Sequence, residues 1–135
     1  MELLDSLHIA AAGMKAQSDR LKVVSENLAN ANSVAAAPGG KPYQRKLVVF
    51  RNMLDRELGL DTVRVHRQAL DQTEFNRKFD PGHPAADEQR YVLYPNVNPI
   101  VEMMDMKEAQ RAYEANLNTV EISKSMLMRT IELLR

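Results

Sequence analysis

Between Leu3 and Ala31 a stripe of mostly apolar positions recurs at regular spacing. Leu3, Leu7, Ala10, Met14, Gln17, Leu21, Val24, Leu28 and Ala31 follow alternating steps of four and three, and Gln17 is the only polar member. That spacing holds a narrow line along one side of an α-helix and is the seam pattern of a coiled coil. Neither Pro nor Gly occurs between Met14 and Asn32, so the pattern predicts a helix over 3–31, with Gly13 its one weak helix former. Asn98-Pro99 announces a second helix, because Asn caps free amides and Pro at the first helical position lacks only a donor the helix does not use. Met106, Tyr113, Val120, Leu127 and Leu134 then recur every seventh residue, and Leu117 and Ile131 widen the stripe, predicting a helix over 99–134. Glu102 and Asp105 read as charges that favour its positive start.

Between the helices the pattern changes. Ala35-Ala36-Ala37-Pro38-Gly39-Gly40-Lys41-Pro42 ends the first helix and makes a loop. Leu47-Val48-Val49-Phe50, Val63-Arg64-Val65 and Tyr91-Val92-Leu93-Tyr94 are short strand candidates, while residues 53–60 fit a short helix or a loop equally. Asp80-Pro81-Gly82-His83-Pro84 reads as a rigid structural turn, with Gly82 granting an unusual backbone angle and His83 bonding a backbone group. The expected fold is mainly α: an antiparallel coiled-coil pair of long N- and C-terminal helices with a small β-rich middle module. The expected domains are 1–33 with 98–135 for the helices, and 34–97 for the module.

A helix with one apolar stripe is marginal alone in water, so each needs something to dock on. The other helix is the obvious partner. Two paired helices still leave most of their outer surfaces bare, which favours bundling with neighbouring subunits. A monomeric bundle covered by the middle segment satisfies the same periodicity.

Composition narrows the function. Eighteen basic residues balance eighteen acidic ones, and no segment forms a block of one sign, so there is no positive field to attract nucleic acid or anionic lipid. Cysteine is absent, which removes disulfides, thiolate metal sites and a cysteine nucleophile. The start Met1-Glu2-Leu3-Leu4-Asp5 lacks the pattern of a secretory signal, and no stretch approaches the ~20 apolar residues of a membrane span. Export, if it occurs, is expected by another route.

Candidate chemistry is thin. His83, Asp80, Asp87 and Glu88, with His66, could be imagined as metal ligands, but the residues suit a restrained turn better. Ser25, Glu26 and Asn27 are consecutive on a helix and point ~100° apart, so they cannot converge on a substrate. Eight methionines, among them Met103, Met104 and Met106, suit flexible core filling rather than a metal or redox role. No phosphate-binding loop, zinc protease signature or Gly-flanked nucleophilic Ser occurs. No catalytic residue, metal, cofactor or small-molecule substrate is expected. A soluble coiled-coil adaptor for one regulatory or chaperone partner is the alternative to an assembly subunit.

Several motifs are more specific than the pattern. Leu7-His8-Ile9-Ala10-Ala11-Ala12-Gly13-Met14 with Ala16-Gln17, and then Ser25-Glu26-Asn27-Leu28-Ala29-Asn30-Ala31-Asn32-Ser33, resemble the N-terminal signature of flagellar rod, hook and hook-associated proteins. Asp80-Pro81-Gly82-His83-Pro84, Asp87-Glu88, Tyr91 with Pro95-Asn96-Val97-Asn98, and the run from Glu102-Met103-Met104-Asp105-Met106 to Glu108-Ala109-Gln110-Arg111-Ala112-Tyr113-Glu114-Ala115-Asn116 narrow the resemblance to proximal rod proteins over essentially the whole chain. Leu28 stands where isoleucine is frequent, and Gln44-Arg45-Lys46 replaces a more basic triplet. The resemblance implies a structural subunit of the basal-body rod, in the periplasm, exported by the flagellar type III apparatus without a cleaved signal. It also implies partners: itself, other proximal rod subunits, the basal adaptor subunit and the distal rod. The assembly residues it points to are Leu7, Met14, Leu21, Val24, Asn27, Leu28, Asn30 and Asn32 on the first helix. On the second they are Tyr113, Asn116, Leu117, Val120, Leu127, Ile131 and Leu134. Asn27 and Asn30 would hydrogen-bond a neighbouring subunit.

Overall fold

The computed structural model describes residues 2–56 and 58–134; Met1, Glu57 and Arg135 lie outside the described residues. The element order is α1 (Glu2–Ala29), β1 (Lys46–Asp55), β2 (Leu60–Leu70), β3 (Asn76–Phe79), β4 (Tyr91–Tyr94) and α2 (Pro99–Leu133). Both terminal helices form within two residues of the bounds their stripes predict. At the start of α2, the Asn98 side-chain oxygen accepts from the Ile100 amide at 3.0 Å and its carbonyl accepts from the Glu102 amide at 3.0 Å. The first occupies a donor that a helix start leaves free, and the second is the first bond of the helix itself. At the other boundary, the Asn30 side chain donates to the Glu26 carbonyl at 2.9 Å and closes the last turn of α1.

β1 and β2 form one two-stranded sheet, and β3 and β4 a second. The short connection after Asp55 allows only an antiparallel ribbon, and at its open end the Asp71 amide, just after β2, donates to the Arg45 carbonyl, just before β1, at 2.8 Å. Of the stretch 53–60, whose pattern left a short helix or a loop open, residues 53–55 belong to β1 and Leu60 to β2, Arg56, Leu58 and Gly59 are turn, and Glu57 lies outside the described residues. Val63-Arg64-Val65 lies inside a longer strand for the same reason: pairing carries β1 and β2 past their apolar cores. β3 pairs antiparallel with β4 from Asn76↔Tyr94 to Phe79↔Tyr91. Its sequence, Asn-Arg-Lys-Phe, has no apolar alternation, and all four residues are exposed.

The turn after β3 holds together through local bonds. The His83 amide donates to the Asp80 carbonyl at 3.3 Å, and the His83 ring Nδ1 accepts from the Ala85 amide at 3.1 Å. Asp87 caps the return, its side chain accepting from the Gln89 and Tyr91 amides at 2.9 and 2.8 Å. The left-handed backbone in this stretch belongs to Arg90, at φ 64°, and not to Gly82. Pro81 and Pro84 already dictate the bend around Gly82.

Packing divides the chain into two compact units: residues 1–21, 48–67 and 107–135, and residues 22–47 and 68–106. In the first unit Ala10, Ala16 and Ala109 are the most buried apolar residues. There the helices run in opposite directions, because Ser6 meets Ser123 with hydroxyls 3.0 Å apart while Arg20 reaches Glu108 at 3.4 Å. Gly13 lies between these contacts: a Cβ there would come within 2.9 Å of the Asn116 amide nitrogen. In the second unit Val23, Val24, Ala85, Val92 and Val97 are buried, together with Asn27 and Glu102.

Candidate functional site

Two kinds of feature stand out: a buried polar cluster in the second unit, and apolar side chains left outside on α2. The cluster begins at Asn27, which is 1% exposed. Its amide nitrogen donates to the Lys46 carbonyl at 2.8 Å and to Glu102 Oε2 at 3.0 Å. Its oxygen accepts from the Lys46 amide and the Tyr43 hydroxyl, each at 2.9 Å. Those four bonds exhaust what an Asn side chain can make. All four are internal to the chain and join α1 to the entry of β1 and to α2.

Glu102 is wholly buried. Its Oε1 accepts from Arg45 Nε at 2.6 Å, and the same guanidinium reaches Asp71 at 3.4 Å and Asp105 at 3.5 Å. Burial alone would lower the Arg45 pKa, but the hydrogen bond and charge of Glu102, followed by those of Asp71, raise it above its ordinary value. Asp71 is held below the usual carboxylate range, chiefly by the backbone amide of Thr73. Burial raises the Tyr43 hydroxyl. At the exposed edge Lys46 and Glu26 pair at 2.8 Å, which raises the one and lowers the other. Such a cluster fixes the local geometry of the end of α1, the entry of β1 and the start of α2.

Glu102 is thus more than a charge near a helix start. One signal in the chain could have found it. Glu102, Ala109, Asn116 and Ser123 recur every seventh residue, between the members of the Met106 series, and three of them are buried with Asn116 half-buried. The larger residues of that series, Met106, Tyr113, Val120 and Leu127, flank this line and are half-buried. On α1, Val24 is buried, while Leu7, Met14, Leu21, Leu28 and Asn30 are half-buried and Asn32 is exposed. Asn30 bonds within its own helix end and accepts from the Ser33 hydroxyl at 3.0 Å.

The outward side chains are the second feature. Leu117, Ile131 and Leu134 are exposed, and Ile100, Met103, Met104, Ile122, Met126, Met128 and Leu133 join them. Core filling is therefore not the role of most α2 methionines; their apolar chains lie in solvent. The turn residues Asp80, Pro81, Gly82, His83 and Pro84 shape their own loop. Among the described residues no three His, Cys, Asp or Glu side chains are grouped as a metal ion would require. Among the described residues no helix is long and apolar enough to cross a membrane.

Known proteins resemble the chain over nearly its whole length. Residues 7–36 match the family described as flagella basal body rod protein, and residues 88–133 match the flagellar basal body rod FlgEFG protein C-terminal family. The flagellar basal-body rod protein FlgC of Agrobacterium fabrum is 45% identical, over 94% of this chain and 91% of its own. That of Salmonella typhimurium is 39% identical over 98% of both chains. The Borreliella burgdorferi protein of the same name is 36% identical over 100% of this chain and 99% of its own.

Proposed function

The chain belongs to the FlgC family of flagellar basal-body rod proteins, and from that premise we propose that it is a shaft subunit whose terminal helices complete their burial only against neighbours. It is a structural subunit of the basal-body rod. The observation that carries the proposal is the set of exposed apolar side chains on α2, including Met104, Ile122 and Met126. Large exposed apolar surfaces of this kind belong to protein contacts. The helices of residues 1–33 and 98–135 pair as an antiparallel coiled-coil domain of the D0 kind, line the export channel and bundle with copies of themselves and with other rod subunits. Residues 34–97 form an outer module. The basal adaptor subunit and distal rod are the further neighbours, and contacts with them transmit torque. The chain reaches the periplasm through the flagellar type III apparatus and catalyses nothing.

The Ser6, Gly13 and Arg20 contacts support the pairing, because they recur at the seven-residue interval of a coiled coil. Ile122→Asp and Met126→Asp test the proposal at exposed positions where the fold does not need the side chain. In cells lacking the native subunit, either variant should fold with unchanged helical circular dichroism yet yield no hook-basal bodies and no swimming. Normal rods from both would refute the use of this face.

A further inference from the structure

Among the described residues, little covers the last turns of α2. Ser6 faces Ser123 and Gly13 faces Asn116, so each step up α1 is matched by one down α2. Among the described residues, the positions of α2 beyond Leu127 have no α1 residue across from them. They are strongly apolar all the same: Leu133 and Leu134 are 88% and 84% exposed, with Met128 and Ile131 also outside.

A complementary recess lies in the same unit. Ala11, Ala12 and Ala16 of α1 and Val63 and Val65 of β2 line a groove of about 420 Å³. Its floor is alanine, so a helix can come in at the short end of the ~8–10 Å separation of packed helices. Lys15 and Asp19, one turn apart on α1, stand at the groove, and neither takes part in an ion pair or hydrogen bond among the described residues. Arg64, the third charge there, is already paired with Asp55 at 3.1 Å.

We propose that the end of α2 from one copy lies antiparallel in the groove between α1 and β2 of a second copy. Arg129 and Glu132, one turn apart on α2, then come beside Asp19 and Lys15 in that order, while Leu133 and its apolar neighbours cover the alanines. The charges select this direction, because the parallel arrangement sets like against like. Knob and groove are different patches of one surface, so the contact is heterologous and repeats without using itself up, as an open helical array requires. The inference rests on the rod reading and adds a specific contact to it.

The absence of native cysteine makes a crosslinking test clean. Chains carrying Ala12→Cys and chains carrying Leu133→Cys are expressed together, basal bodies are isolated, and mild oxidation is applied. A disulfide-linked dimer of the two chains is expected. Adding Lys15→Glu should reduce its yield about fivefold, the scale of one exposed ion pair, and Glu132→Lys in the partner chain should restore it. Basal bodies that contain both chains yet give no dimer would overturn the contact and leave the rod reading standing. So would a yield indifferent to the charge exchange. Failure of the unmodified chain to enter basal bodies would defeat both.

Discussion

A carboxylate with no access to water is tolerated only while its partners stay in place, and Glu102 has two, Arg45 and Asn27. Arg45→Ala should cost about 3 kcal/mol in chemical denaturation, below the full cost of orphaning a buried charge because Arg45 is itself partly wet. Arg45→Met with Glu102→Leu should cost less than Arg45→Ala alone, since no charge remains to be desolvated. Equal losses would show that Glu102 finds another partner. The same cluster sets the pH response. Glu26 and Asp71 lie below their ordinary 4.5 and 3.8, so their contribution is present above those values and is lost as pH falls through the folded pKa. Tyr43 and Lys46 lie above 10.0 and 10.5, so theirs is lost as pH rises past them. Thermal stability of the isolated chain should therefore be level through neutral pH and decline at both extremes. None of these partners could be paired from the chain alone: Arg45 and Glu102 are distant in sequence, and nothing local to either announces the other.

Helices announced themselves because a seven-residue repeat needs no knowledge of the partner, and Asn98-Pro99 marks a start by local chemistry alone. Strand β4 was legible in its Tyr-Val-Leu-Tyr run. Its neighbour β3 was not, since Asn76-Arg77-Lys78-Phe79 is a strand only because β4 offers it backbone groups to pair with. The depth of the stripe also escaped the pattern. Large residues mark its edges, while the close approach is made by small ones, as at Gly13 against Asn116. Gly13→Ala should gain about 1 kcal/mol of helix propensity but must displace an Asn116 amide that donates to the Ala112 carbonyl at 2.9 Å. The gain should appear in full only in an Asn116→Ala background. A thermal melt of the four combinations measures this coupling; strict additivity would mean that the two residues do not constrain each other.

For the whole molecule, the uncovered end of α2 sets what the free subunit does. In dilute solution the amides of residues 128–134 should exchange with solvent far faster than those near Ala109, and incorporation into rods should slow them by orders of magnitude. Equal protection before and after assembly would mean that this end needs no partner. The paired stretch behaves differently under load. Serine meets serine, glycine admits an asparagine, and arginine meets glutamate, so successive layers are all unlike. A slide of α2 by seven residues would bring Arg20 to Asn116 and take Glu108 away from its mate. The two helices are keyed to each other like a lock and its one key: axial force meets a different ward at every layer, and only one setting lets all of them seat.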